Sequence, residues 1–121
     1  MLGETHVQRL LRSALAASPA DETEASLLVT DEALTRFANN TIHQNVAERD
    51  AVLEVRAVFG KRAGTARTND LSPAGLRRIL GTACEAARHQ PENEDFPGLP
   101  DPAPMRPVDS FDESAAGASP E

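Results

Sequence analysis

The chain has 121 residues, enough for one domain with a real core and too few for two comfortable ones. Its single cysteine, Cys84, excludes an internal disulfide and makes a reducing, cytoplasmic setting the expectation. The net charge of −7 belongs to the end of the chain: residues 1–90 hold eleven basic and eleven acidic residues, whereas residues 91–121 hold eight acids against one base, Arg106. A neutral front part, with neither Trp nor Tyr for stacking, argues against nucleic-acid binding. No apolar run approaches membrane-spanning length, and the start MLGETHVQRLL carries Glu4 where a secretory signal would be apolar.

In chain order, Val7, Leu10, Leu11, Ala14 and Leu15 fall at helical spacing and predict an amphipathic helix over 3–18, ended by Ser18-Pro19. Ala25–Thr30 reads as a first strand, and Asp31-Glu32 as a turn or a bulge within a longer strand. Leu34–Ala38 follows as a second strand. Asn39-Asn40 tolerates positive φ and suits a tight reversal into a third strand, Thr41–Ala47, with Ile42, Gln44 and Val46 on one side. After Glu48-Arg49-Asp50 comes the most apolar strand, 51–59, whose Leu53, Val55, Ala57 and Phe59 alternate with Val52, Glu54, Arg56 and Val58. Gly60-Lys61-Arg62 turns the chain into a fifth strand, where Gly64 marks a bulge or close packing against a helix.

The second helix has the clearest start: Ser72 as cap, Pro73 at the first helical position, and Leu71 placed to staple against Leu76. Leu76, Ile79, Leu80, Ala83, Cys84 and Ala87 form its apolar stripe, and Pro91 ends it. The expected fold class is therefore α+β: an antiparallel meander of about five strands flanked by an N-terminal and a C-terminal helix, then an extended Pro-rich acidic tail. The domain expectation is 1–90 as the α+β domain and 91–121 as a flexible acidic Pro-rich linker leading to a missing C-terminal domain. Ala118-Ser119-Pro120-Glu121 repeats the Ser-Pro helix opening, the pattern of a chain that stops where a helix begins.

No catalytic constellation emerges. His6, His43 and His89 are scattered, with no i, i+4 pair and no H-E-x-x-H spacing, so they read as solvated or partly packed imidazoles. Cys84 reads as a small buried hydrophobe. Gly60–Gly64 lacks phosphate-loop spacing and reads as a hairpin turn. The polar set Asn39, Asn40, His43, Gln44 and Asn45 reads first as turn chemistry on a solvated face, and second as an edge for an extended peptide or partner strand.

These residues carry a resemblance. The R-x-x-N-x-x-I-x-Q stretch (Arg36, Asn39, Ile42, Gln44) and the strand ending G-K-R-x-G-x-A-x-T-N (Gly60–Asn69) are followed by a small-residue helix centre, then by DFPGLPDP and VDSFDESAAGASPE. Over roughly residues 20–121 this order resembles the N-terminal region of TldD/PmbA-type proteins, also labelled modulator of DNA gyrase. The resemblance implies a two-domain parent with a β-rich second domain, in which catalytic members are metallopeptidases carrying zinc on an H-E-x-x-x-H helix. It implies action on small or unfolded peptides, and homo- or heterodimers in which a PmbA-like partner lacks the zinc motif. No position here matches that motif, so no catalytic or metal residue is carried over, and no cofactor is expected in this chain. The expected role is a non-catalytic domain giving dimer contacts and peptide access, with Arg36, Asn39, Asn40, His43 and Gln44 as contact residues. The alternative is a stand-alone interaction module that binds an extended peptide by strand addition.

Overall fold

A computed structural model describes residues 2–104 and 106–119. The element order is α1 (Glu4–Ala17), β1 (Glu22–Ala38), β2 (Thr41–Phe59), β3 (Arg62–Thr68), α2 (Pro73–His89) and a short α3 (Glu113–Ala116). Among the described residues the strands form one antiparallel sheet in the order β1-β2-β3. The class is the expected α+β, but three strands stand where about five were expected. Asp31-Glu32 lies within β1 and Glu48-Arg49-Asp50 within β2. Those polar clusters do not break a strand here because nearly every residue from Thr30 to Asp50 is exposed. With no buried face to satisfy, a charged residue costs a strand little, and the backbone ladder continues.

The chain divides into two compact units: residues up to Thr30 together with Arg49–Leu99, and Asp31–Glu48 together with residues from Pro100 onward. The first unit holds the core. Leu53, Val55 and Ala57 of β2 pack with Leu76, Ile79, Leu80, Ala83 and Cys84 of α2 and with Leu10 and Ala14 of α1. Ala25 and Leu27 of β1 and Ala66 of β3 complete the apolar side of the sheet. The period of two in β2 and the period of 3.6 in both helices thus converge on one layer.

The sheet register between β2 and β3 runs from Leu53↔Thr68 to Phe59↔Arg62. It places Glu54 opposite Arg67, and the two form an ion pair. Gly60 opens the connecting turn at φ +59°, the conformation that glycine adopts at the first central position of a tight hairpin. Asp21 braces that turn: its amide donates to the Val58 carbonyl at 2.9 Å, and its carboxylate accepts from the Gly60 amide at 2.7 Å.

Gly64 is the point of closest approach between sheet and helix. A Cβ there would lie 2.2 Å from the Ala87 nitrogen and 2.4 Å from the Ala83 oxygen. The helix rests on bare β3 backbone, and Arg88 near its end sits 4.6 Å over the Phe59 ring.

α1 ends at Ser18 as Pro19 requires, and the Ser18 hydroxyl meets the Thr23 hydroxyl at 2.6 Å. α2 begins as its sequence dictates, with the Ser72 hydroxyl accepting from the Gly75 amide at 3.1 Å and Pro73 at the first position. After α2 the chain stays with the first unit as far as Leu99. The Asn93 amide donates to the Lys61 carbonyl at 3.1 Å, Lys61 Nζ donates to the Glu94 carbonyl at 2.6 Å, and the Leu99 amide donates to Glu22 Oε2 at 2.6 Å.

The second unit holds the far part of the β1–β2 hairpin and the end of the chain. Asn39 and Asn40, at φ +51° and +58°, make the reversal. α3 is capped by Asp112, whose carboxylate accepts from the Ala115 amide at 2.9 Å. Of the Ala118-Ser119-Pro120-Glu121 helix opening expected at the end, Pro120 and Glu121 lie outside the described residues.

Candidate functional site

The five contact residues expected from sequence all lie on the second unit's hairpin. Asn39 and Asn40 form the turn, Arg36 is on β1, and His43 and Gln44 are on β2. All five are exposed. What the sequence did not reveal is the apolar company they keep. Phe37 is 74% exposed, Ile42 46% and Leu34 37%. Alternation predicted apolar side chains in these strands, and only the fold could show that no layer covers them.

One face of this hairpin carries a shallow depression lined by Leu34 and Val46 with Glu32, Gln44 and Glu48. Its two carboxylates and two aliphatic side chains suit an extended segment better than a compact ligand. Closer to the turn, the Thr35 hydroxyl donates to Asn45 Oδ1 at 3.1 Å, a cross-strand bond that ties the two strands together.

The first unit contains a polar cluster at the start of α2. Asp70 Oδ1 accepts from the Ser72 amide at 3.1 Å, and Asp70 Oδ2 accepts from the Arg78 guanidinium at 2.7 Å. The hydrogen bonds from Ser72, followed by the Arg78 contact, hold the Asp70 carboxyl below its ordinary value of 3.8. A Cβ on Gly75 would lie 2.1 Å from the Asp70 carbonyl oxygen, so the loop and the first helical turn are in direct contact. These contacts are those of a helix cap, which is the account the cluster needs.

The described histidines and the cysteine lie apart. His6 is on α1, His43 on β2 and His89 at the end of α2, while Cys84 is buried under the sheet. Among the described residues no group of three His, Cys, Asp or Glu could hold a metal ion. Nor is any helix among them long and apolar enough to cross a membrane.

Residues 23–87 match the family model described as PmbA/TldA metallopeptidase domain 1, more than half of the chain. The chain belongs to this family. The matched span covers all three strands from Thr23 onward and most of α2, so the hairpin and its exposed residues are part of the family domain. No curated protein matches at a significant level. Among solved structures, TldE from Thermococcus kodakarensis is similar with a TM-score of 0.76 at 21% identity, covering 93% of this chain and 25% of that one. A protein described as a candidate modulator of DNA gyrase, from Bacteroides thetaiotaomicron, is similar with a TM-score of 0.67 at 17% identity, covering 99% of this chain and 28% of that one. At these identities the likeness is one of fold. The PmbA/TldA first domain described here spans about a quarter of the length of those structures.

Proposed function

We propose that this PmbA/TldA first domain is the non-catalytic part of a zinc metallopeptidase system, and that its hairpin contacts a partner chain and guides extended peptides. The observation that carries this reading is the exposure of Leu34, Phe37 and Ile42 beside Arg36, Asn39, Asn40, His43 and Gln44. Exposed aromatic and aliphatic side chains ringed by hydrogen-bonding groups are the ordinary make-up of a contact surface. Partners under this reading are a TldD/PmbA-like chain, as homo- or heterodimer, and a small or unfolded peptide.

The test uses Asn39→Gly with Gln44→Ala. Glycine removes the Asn39 side chain while keeping its positive φ, which alanine would strain. Self-association is read by sedimentation velocity, and affinity for a reduced, alkylated unfolded polypeptide by titration. Both should weaken with the melting temperature unchanged. Association and peptide affinity equal to those of the parent chain would refute the assignment.

A further inference from the structure

The first unit carries a second surface that its own fold leaves unfilled. A groove of about 270 Å³ lies between α1 and the start of α2, with Leu10, Leu71, Pro73 and Leu76 against His6 and Arg9. The volume falls just under the ~300–1,000 Å³ typical of small-molecule sites, so it suits one or two side chains of a peptide and not a cofactor. The groove includes no carboxylate among its lining residues. Arg12 lines the adjoining depression on α1, which shares Arg9 and Ser13 and also lacks a carboxylate. Among the described residues neither Arg9 nor Arg12 has an ion pair, unlike Arg56, Arg62, Arg67 and Arg78, which each pair with a carboxylate. Two unpaired guanidiniums beside an apolar groove, in a chain of net charge −7, select an acidic partner with an apolar anchor.

The chain itself contains such a segment. Val108–Glu113 reads V-D-S-F-D-E, with three carboxylates and no base. Val108 is 80% exposed and Phe111 72% exposed, three residues apart. Asp112 is held ionised by its hydrogen bonds with Ser114 and Ala115, so the charge beside Phe111 is present throughout the neutral range. We propose that the α1–α2 groove is a docking site for an acidic, aromatic-anchored peptide segment, and that Val108–Glu113 of a second copy of this chain is its occupant. Phe111 supplies the anchor between Leu10, Leu71 and Leu76, while Asp109, Asp112 and Glu113 meet the field of Arg9 and Arg12. The site is separate from the hairpin and does not rest on the assembly role proposed above.

The experiment titrates a synthetic peptide of residues 106–119 into the isotope-labelled full chain carrying Phe111→Ala, which removes the competing segment. Amide shifts are followed by two-dimensional NMR. The expected result is saturable shifts at Leu10, Ser13, Leu71 and Leu76, leaving Arg36–Gln44 unmoved. Phe111→Ala in the peptide should weaken binding at least about tenfold, the scale of losing a buried aromatic side chain. Arg9→Glu in the chain should weaken it by about threefold to tenfold and flatten its salt dependence. Should Arg9→Glu disturb the fold, Arg9→Gln gives the same reading with a smaller loss. Absence of saturation at millimolar peptide, shifts that map outside the groove, or affinity indifferent to Phe111→Ala would each overturn the proposal. Loss of the groove shifts leaves the hairpin reading standing, and an inert Asn39→Gly/Gln44→Ala variant leaves the groove standing.

Discussion

Two glycine-to-alanine substitutions, chemically identical, should move stability in opposite directions. At Gly64 the added methyl meets Ala87 N at 2.2 Å, Ala83 O at 2.4 Å and Ala86 C at 2.8 Å. Ordinary contact begins near 3.4 Å, so helix and strand must separate by about 1 Å. All three obstructing atoms are helix backbone, so no side chain can swing aside. Moving α2 outward would loosen Ile79, Ala83, Cys84 and Ala87, all now at most 3% exposed. Overpacking of this kind costs about 1–3 kcal/mol and sometimes more. For a folded part of this size that lowers the melting temperature by about 5–20 °C. At Gly81, in the exposed middle of α2, nothing lies within 4 Å of the added Cβ. Alanine there should stabilise by about 0.5–1 kcal/mol, because glycine surrenders more backbone freedom in a helix. Thermal melts by circular dichroism, supported by urea titration, measure both. A Gly64→Ala chain as stable as the parent would refute the close approach of β3 and α2, and with it the packing of the core.

Further outcomes follow from the cap, the turn and the core. The folded-state value of Asp70 is depressed, so its stabilising contribution is present above the ordinary 3.8 and is lost as pH falls through the folded value. The stability difference between the parent and Asp70→Asn should therefore be constant at neutral pH and shrink below that point, as acid titration of melting temperature would record. Asn39→Ala should destabilise by roughly 1 kcal/mol because Ala loses the left-handed conformation that Asn tolerates, whereas Asn39→Gly should be close to neutral. Comparative melts separate the two. Leu53→Ala, at a fully buried position, should cost about 2–5 kcal/mol and leave the hairpin's amide spectrum unchanged if the two units respond independently.

Where two rules agreed on one residue, the fold could be read directly. Pro19 and Ser72-Pro73 set helix limits to within a residue because proline geometry and capping are local. Gly64 was recognisable because a glycine inside an alternating strand demands a neighbour at close range. Turn propensity competes with the ladder where a strand has a buried face, which makes Glu48-Arg49-Asp50 read as a break and leaves Asp31-Glu32 open between a turn and a bulge in a longer strand. In an exposed ribbon that competition is absent, and the strands continue. α3 was missed although Asp112 and Gly117 bracket it with ordinary cap and stop residues; four residues give too short a period to notice. The bonds from Gly60 to Asp21 and from Leu99 to Glu22 span 39 and 77 residues and leave no local trace. Turn chemistry singles out the polar residues of the hairpin, whereas the exposure of Phe37, Ile42 and Leu34 is a property of the fold that the sequence does not carry.

That exposure decides how the hairpin should behave in solution. A two-stranded ribbon without a covering layer is marginal in water, and what holds this one is the Asn39-Asn40 reversal and cross-strand pairs such as Thr35 with Asn45. Local stability is therefore low between Asp31 and Glu48 and high in β2 from Leu53 to Val58, where Leu53, Val55, Ala57 and Val58 are fully buried. Hydrogen exchange should divide a single strand, β2, into a fast half up to Glu48 and a slow half from Leu53 onward. A partner that covers Phe37 and Ile42 would add the missing layer and slow the fast half without altering the slow one. Uniform exchange along β2 in the isolated chain would mean that the ribbon is already stabilised as well as the core is, and the physical case for a surface awaiting a partner would fall.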